Sequence, residues 1–205
     1  MDTSYFGGHA SLGIMRRLLV SNLMSLDGYV SGPEGELDWF VSEGWLKGTE
    51  FGDYARNLIS SVDAILLGRR TYENFSSYWP TATDDDPVIT ERINNLPKVV
   101  FSRTLKKVEW GKWNNARLVK DNASEEVSRM KSEWGRDLVI YGSAGLVSDF
   151  MKHSLVDEFQ IFLQPVILGR GTQEFQSLGE KHKLRLISAK PFKSGAVALY
   201  YRPIT

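Results

Sequence analysis

Three short segments carry residue types suited to holding phosphate: Gly68-Arg69-Arg70-Thr71, Ser102-Arg103-Thr104 and Gly142-Ser143-Ala144-Gly145. Each follows an apolar run of strand length. Glycine lets a pyrophosphate approach the backbone closely. A helix starting there offers unpaired N–H groups and the positive end of its dipole. Arginine adds a forked pair of donors that matches a phosphate monoester. In an open α/β sheet, ligands sit at the carboxyl ends of the strands, so three such junctions describe a site for a ligand with several phosphates. Taken singly, each is equally an ordinary tight turn or a solvated helix start. Neither G-x-G-x-x-G nor a Walker-type Gly-Lys-Ser/Thr is present.

Other chemistries find little support. No G-x-S-x-G elbow marks a nucleophile. There is no cysteine, which excludes a disulfide scaffold and a thiolate zinc site. The three histidines, His9, His153 and His182, are far apart, so no metal site is expected. His153 reads as a surface residue after an apolar helix, and His182 as a solvated turn residue. Asp84–Asp86 reads as a solvated charge run. Lys+Arg and Asp+Glu balance at 25 each, which argues against a nucleic-acid partner. No apolar run approaches the roughly 18 residues of a membrane helix. Residues 1–14 lack the pattern of a signal peptide and read as a flexible extension or tag remnant. A cytoplasmic protein is the expectation, with a single domain over residues 15–205 and a small-molecule substrate.

The elements that must position these junctions are legible in outline. Arg17–Ser25 is β-capable and ends in the turn-like Asp27-Gly28. Leu37–Gly48 is a loop with three aromatics, Trp39, Phe40 and Trp45, suited to function or to a lid over the core. Phe51, Tyr54, Ala55, Leu58 and Ile59 fall on one helical face, with Thr49 as N-cap. Val62–Leu67, Val99–Phe101, Arg117–Val119 and Leu138–Tyr141 are short strands of the buried kind. Pro87–Asn95 is a weak helix. Asn122 and Glu125 have the spacing of a capping box, followed by Val127, Met130 and Trp134 at helical intervals. Phe159–Gln164, Leu184–Ile187 and Val197–Tyr201 alternate as strands do. The order predicts an α/β fold: a mostly parallel sheet with helices on both faces, closed by antiparallel strands at the C-terminal end.

The residues also carry a resemblance. Ser25-Leu26-Asp27-Gly28, the run Asp63 to Tyr72 (DAILLGRRTY), Val99 to Leu105 (VVFSRTL), and the stretch from Leu138 through Leu155-Val156-Asp157-Glu158 to Gly169 occur in that order. Together they resemble the dihydrofolate reductase-like superfamily, closest to the RibD-type C-terminal reductase domain of riboflavin biosynthesis. The likeness covers about residues 16–202. It implies a three-layer fold with a mixed, mostly parallel sheet of about eight strands flanked by helices, and NADPH as cofactor.

The resemblance further implies roles. Arg69, Arg70, Ser102 and Arg103 would meet the adenosine 2′-phosphate, with Gly68, Thr71 and Thr104 completing those segments. Gly142, Ser143, Ala144, Gly145 and Leu146 would hold the pyrophosphate. Asn22, Ser25 and Leu26 would flank the nicotinamide, beside the turn carrying Asp27. Asp53 and Tyr141 are candidates for substrate anchor and proton donor, with Asp27 as a third catalytic candidate. Asp53 is equally an exposed first-turn residue, and Tyr141 equally a strand-end packing residue. Trp39 and Phe40 would stack on a flat substrate.

Departures exist too. Riboflavin-type reductases usually carry lysine where this chain has Asn22, and Glu-Gly-Gly where it has Tyr141-Gly142-Ser143. The folate enzymes' Pro-Trp loop is also absent. The implied activity is hydride transfer to a small heterocycle, as in 5-amino-6-(5-phosphoribosylamino)uracil reductase. Dihydrofolate reductase and a non-catalytic NADP-binding module are the alternatives. A homodimer is the expected assembly, paired through Phe159–Leu163 and Val197–Tyr201 unless these are internal strands.

Overall fold

The computed structural model describes residues 15–39 and 47–204. The expected extension and the aromatics Phe40 and Trp45 lie outside the described residues.

An eight-stranded sheet organises the chain. Its strands are β1 (Leu18–Ser25), β3 (Val62–Gly68), β4 (Lys98–Phe101), β5 (Ala116–Val119), β6 (Asp137–Tyr141), β7 (Glu158–Gln164), β9 (Leu184–Pro191) and β10 (Val197–Pro203). The spatial order is β5-β4-β3-β6-β1-β7-β10-β9. All pairings from β5 to β7 are parallel, and β10 runs antiparallel to both β7 and β9. A separate ribbon pairs β2 (Tyr29–Ser31) with β8 (Thr172–Gln173). This is the mostly parallel α/β sheet, closed by antiparallel strands, that the element order predicts, and its eight strands match the dihydrofolate reductase-like fold that the resemblance implies.

Period-two alternation divides the core. Leu19, Ile65, Leu67, Val100 and Val139 face helices α1 (Glu50–Ser61), α2 (Arg69–Tyr78) and α3 (Pro87–Asn95). Leu18, Val20, Leu66, Val99 and Ile140 face α4 (Ala123–Ser132) and α5 (Ala144–Lys152). Because both faces are covered, the central strands read as continuous apolar runs rather than alternating ones. Each fully buried Leu, Ile or Val stabilises the fold by about 1.5–3 kcal/mol.

Charge gathers at the amino ends of the strands. Arg16 pairs with Asp63, and Arg17 Nε donates to Asp137 at 3.0 Å. Arg202 Nη2 reaches Glu158 at 3.0 Å. These pairs tie that rim together, at the end opposite the three junctions.

Several expectations need correction. Trp134 is not on the α4 face: the helix ends at Ser132, Glu133 is extended, and Trp134 is 80% exposed. The capping box does not form. Asn122 adopts a left-handed conformation, φ 55°, and its amide donates to Glu125 instead of receiving a backbone N–H. Asp86 is buried rather than solvated, because it caps α3 through the Val88 and Ile89 amides and takes Arg56 at 2.6 Å. His182 is half-buried, with Nε2 3.7 Å from Glu180. Strands β7 and β10 are internal; the edges of the sheet are β9, all eight residues of which are exposed, and β5, which as an edge strand is only partly buried rather than covered on both faces.

Candidate functional site

Strands β4, β3 and β6 are immediate neighbours, and they end together. Gly68 lies opposite Phe101, and Leu67 opposite Tyr141. The three junctions therefore stand side by side on one rim. Arg69 Nη1 reaches Thr104 Oγ1 at 3.4 Å, linking the first junction to the second. The Ser102 hydroxyl accepts from the Thr104 and Leu105 amides at 3.3 and 3.1 Å, which shapes the turn that displays Arg103. Arg70 and Arg103 are exposed, and neither forms an ion pair among the described residues.

The third junction is built on two consecutive left-handed residues, Gly142 at φ 57° and Ser143 at φ 65°. A Cβ at Gly142 would lie 2.6 Å from Thr71 Oγ1, so only glycine fits. The Ser143 hydroxyl accepts from the Gly68 amide at 2.7 Å and sits 3.2 Å from Thr71 Oγ1. Helix α5 starts directly afterwards, and the first amides of a helix lack intrahelical acceptors. The space beside Gly145 is open, with no atom within 4 Å of a Cβ built there. Leu146 completes this turn, its amide bonded to the Ser143 carbonyl at 2.8 Å.

At the end of β1, the Ser25–Gly28 turn is held from a distance. The Asp27 carboxylate accepts from the Ser25 hydroxyl at 2.7 Å, the Leu168 amide at 3.1 Å and the Gly169 amide at 2.7 Å. Desolvation works against its charge, yet the Ser25 hydroxyl and the Gly169 and Leu168 amides hold it below the ordinary aspartate range. All three partners are structural, so Asp27 braces the turn. Leu26 donates its amide to Val166 O at 2.8 Å and leaves its side chain 59% exposed.

Asn22 lies buried on the opposite strand face from Ser21. Its Oδ1 accepts from the Gly142 amide at 2.6 Å, and its Nδ2 donates to Glu174 at 2.7 Å. Glu174 is fully buried; burial pushes its carboxyl up to about 7, against the Asn22 amide, which lowers it.

On the α1 face, Tyr141, Ser21, Gln160 and Tyr200 share one row across the sheet. The Tyr54 hydroxyl descends from α1 onto Gln160 Oε1. Burial drives the Tyr54 and Tyr141 hydroxyls well above the ordinary tyrosine range, so both stay protonated. Tyr141 also packs on Phe75, with ring centroids 5.7 Å apart. Asp53 does not join this row: its side chain is 67% exposed and bonds Arg56 at 2.9 Å. Trp39 is half-buried, with Nε1 on Glu36 O at 3.2 Å.

The structure thus brings together the three phosphate-type junctions, the Asp27 turn and Asn22. It separates Asp53 from the polar row. Sequence reasoning missed Glu174, Gln160 and the inward aim of Tyr54. Only Tyr54 had a signal, because it falls on the apolar face of α1.

Comparison with known proteins bears on the family and the fold. The model of the RibD C-terminal domain matches residues 16–198. The Bacillus subtilis (strain 168) protein YyaP, described as uncharacterized, is 31% identical over 188 residues, covering 91% of this chain and 94% of that one. A solved structure from Shewanella sp. PV-4, provisionally named a riboflavin biosynthesis protein, superposes with TM-score 0.73 at 23% identity, covering 92% of this chain and 99% of that one. Dihydrofolate reductase from Enterococcus faecalis, solved with NADP(H), superposes with TM-score 0.63 at 13% identity, covering 95% and 100%. The two structural likenesses speak for the fold.

Proposed function

Because this chain belongs to the RibD C-terminal domain family, we propose that it is an NADPH-dependent reductase acting on a small planar heterocycle, similar to the aminouracil reductase of riboflavin biosynthesis. The observation that carries this reading is the alignment of three phosphate-type junctions on adjacent parallel strand ends. The donor set suits the cofactor. Arg69, Arg70, Ser102, Arg103 and Thr104 form a cationic, hydroxyl-rich corner for the 2′-phosphate. Residues 142–146 offer amides and open space for the pyrophosphate. Asn22, Ser25 and Leu26 flank the nicotinamide end. Gly68 and Thr71 hold Ser143 in place. Bound NADPH supplies the hydride.

The chain's own residues bind, orient and exclude water. Tyr54, Gln160, Ser21 and Tyr141 present neutral hydrogen-bonding groups to the substrate side. That row matches an uncharged lactam or urea edge better than a cation, which a carboxylate would hold. Asp53 is therefore not kept as anchor. Tyr141 serves as a hydroxyl that orients the substrate, since burial keeps it a weak acid. Asp27 is a positioning residue for the turn. Trp39 remains a stacking candidate. Two copies pair through the exposed edge strand β9, where Leu186 and Ile187 face solvent.

Following NADPH absorbance with a ribosylaminopyrimidine and with dihydrofolate tests the reading. Oxidation with the first supports it, and oxidation with the second alone replaces the substrate class. Tight binding without oxidation of either leaves a cofactor-binding module.

A further inference from the structure

Glu174 follows β8 and is 0% exposed, yet only one of its carboxyl oxygens is bonded. Oε1 accepts from Asn22 Nδ2 at 2.7 Å, while Oε2 is buried without a partner. The Glu174 amide donates to Gly28 O at 3.1 Å, in the turn at the end of β1. Through Asn22 the same residue reaches the Gly142 turn: Asn22 Oδ1 accepts the Gly142 amide at 2.6 Å, and Asn22 Nδ2 lies 3.4 Å from Gly142 O. One buried residue is therefore tied to both turns that the reductase reading gives to the cofactor, by its amide to the first and by its carboxyl, through Asn22, to the second.

We propose that Glu174 is a positioning residue that couples dinucleotide binding to proton uptake, its charge reaching the Gly142 turn through the Asn22 amide. The proposal rests on the NADPH assignment above. A buried negative charge one side chain behind the pyrophosphate turn repels an anionic ligand, in surroundings where charges are poorly screened. It also draws Asn22 Nδ2 toward itself and away from Gly142 O. A proton on Oε2 removes both effects. Binding then takes one proton from solvent onto Glu174 whenever the free protein holds it ionised.

The surroundings leave little else to titrate. From β1 comes the neutral Asn22, and from the following turn the Gly28 carbonyl. From β7 comes Phe159, packed on neighbouring Phe175 at 5.8 Å. Among the described residues no charged group contributes to the Glu174 titration; burial and then the Asn22 hydrogen bond set it near 7.

Calorimetric titration of the full chain with NADPH, in two buffers of different ionisation enthalpy, tests this. Between about pH 6 and about pH 8 the wild-type affinity falls roughly tenfold, with uptake approaching one proton at the upper end. Glu174→Gln keeps an acceptor for Asn22 and removes the charge. Relative to the wild type it loses the tenfold fall and that proton. Titration of the cofactor's own 2′-phosphate is common to both proteins and cancels in the comparison. Glu174→Leu, lacking the acceptor, binds more weakly at every pH and is also flat. Equal pH profiles and equal proton counts in wild type and Glu174→Gln overturn the proposal alone. Absence of binding to the wild type at every pH overturns the reductase reading, and this proposal with it.

Discussion

The Gly68 amide donates to the Ser143 hydroxyl at 2.7 Å, so the ends of β3 and β6 are joined by the residue that opens α5. A Cβ on Gly68 would stand 2.7 Å from that same oxygen. The first and third junctions are thus one interlocked unit, with Thr71 as the third member.

Ser143→Ala leaves the Gly68 N–H without its acceptor in a half-buried place. Unfolding stability should fall by about 1–3 kcal/mol, and NADPH affinity should fall with it because the turn loosens. Urea denaturation beside a fluorescence titration checks both. An unchanged denaturation midpoint would show that the hydroxyl does not hold the junctions together.

The double change Arg69→Ala with Arg103→Ala should weaken NADPH far more than NADH. Each lost charge-assisted contact is worth about 1.5–3 kcal/mol. Equal losses for the two cofactors would mean that the 2′-phosphate lies elsewhere.

Asp53 and Tyr54 are adjacent in sequence and opposite in role. Asp53→Asn, at an exposed position, should leave turnover within about twofold of wild type, since such surface changes stay within about 0.5 kcal/mol. Tyr54→Phe removes a hydroxyl bonded to Gln160 and should raise the substrate KM while sparing cofactor affinity. A large drop in turnover for Asp53→Asn would restore the carboxylate to the site.

Glu174 also predicts how stability follows pH without any ligand. Its folded value, about 7, lies above its unfolded value near 4.5. The folded state therefore binds more protons between these limits, and stability declines as pH rises from about 4.5 to about 7. The loss attributable to this group is roughly 3 kcal/mol at most. Thermal melting of wild type and Glu174→Gln across that range should show the decline only in the wild type.

Much of this was legible in the residues. Runs such as Val62–Leu67 and Leu138–Tyr141 announce strands covered on both faces, and the glycine or serine after each announces a turn. What local pattern cannot carry is pairing over distance. Asn22 and Glu174 are 152 positions apart, and neither stands out in its own segment. Asp53 and Tyr54 differ by about 100° around a helix, so these neighbours in sequence part company, the carboxylate pairing with Arg56 at the surface and the ring turning inward onto Gln160. Asn122 and Glu125 have capping-box spacing, but the left-handed backbone at Asn122 turns its side chain out of the capping position. Asp86 looked like part of an acidic loop because Arg56, its partner, lies 30 residues away on another helix.

The bracing of the Ser25–Gly28 turn has a consequence for synthesis. Leu168 and Gly169, which grip Asp27, and Glu174, which grips Gly28, leave the ribosome roughly 140 residues after the turn they support. A nascent chain displayed only as far as α5 already owns all three phosphate-type junctions, but the Leu168, Gly169 and Glu174 contacts that brace the Ser25–Gly28 turn are still missing. The bracing of that turn therefore arrives late in translation, and stalled or truncated products lack it however well their first strands have assembled.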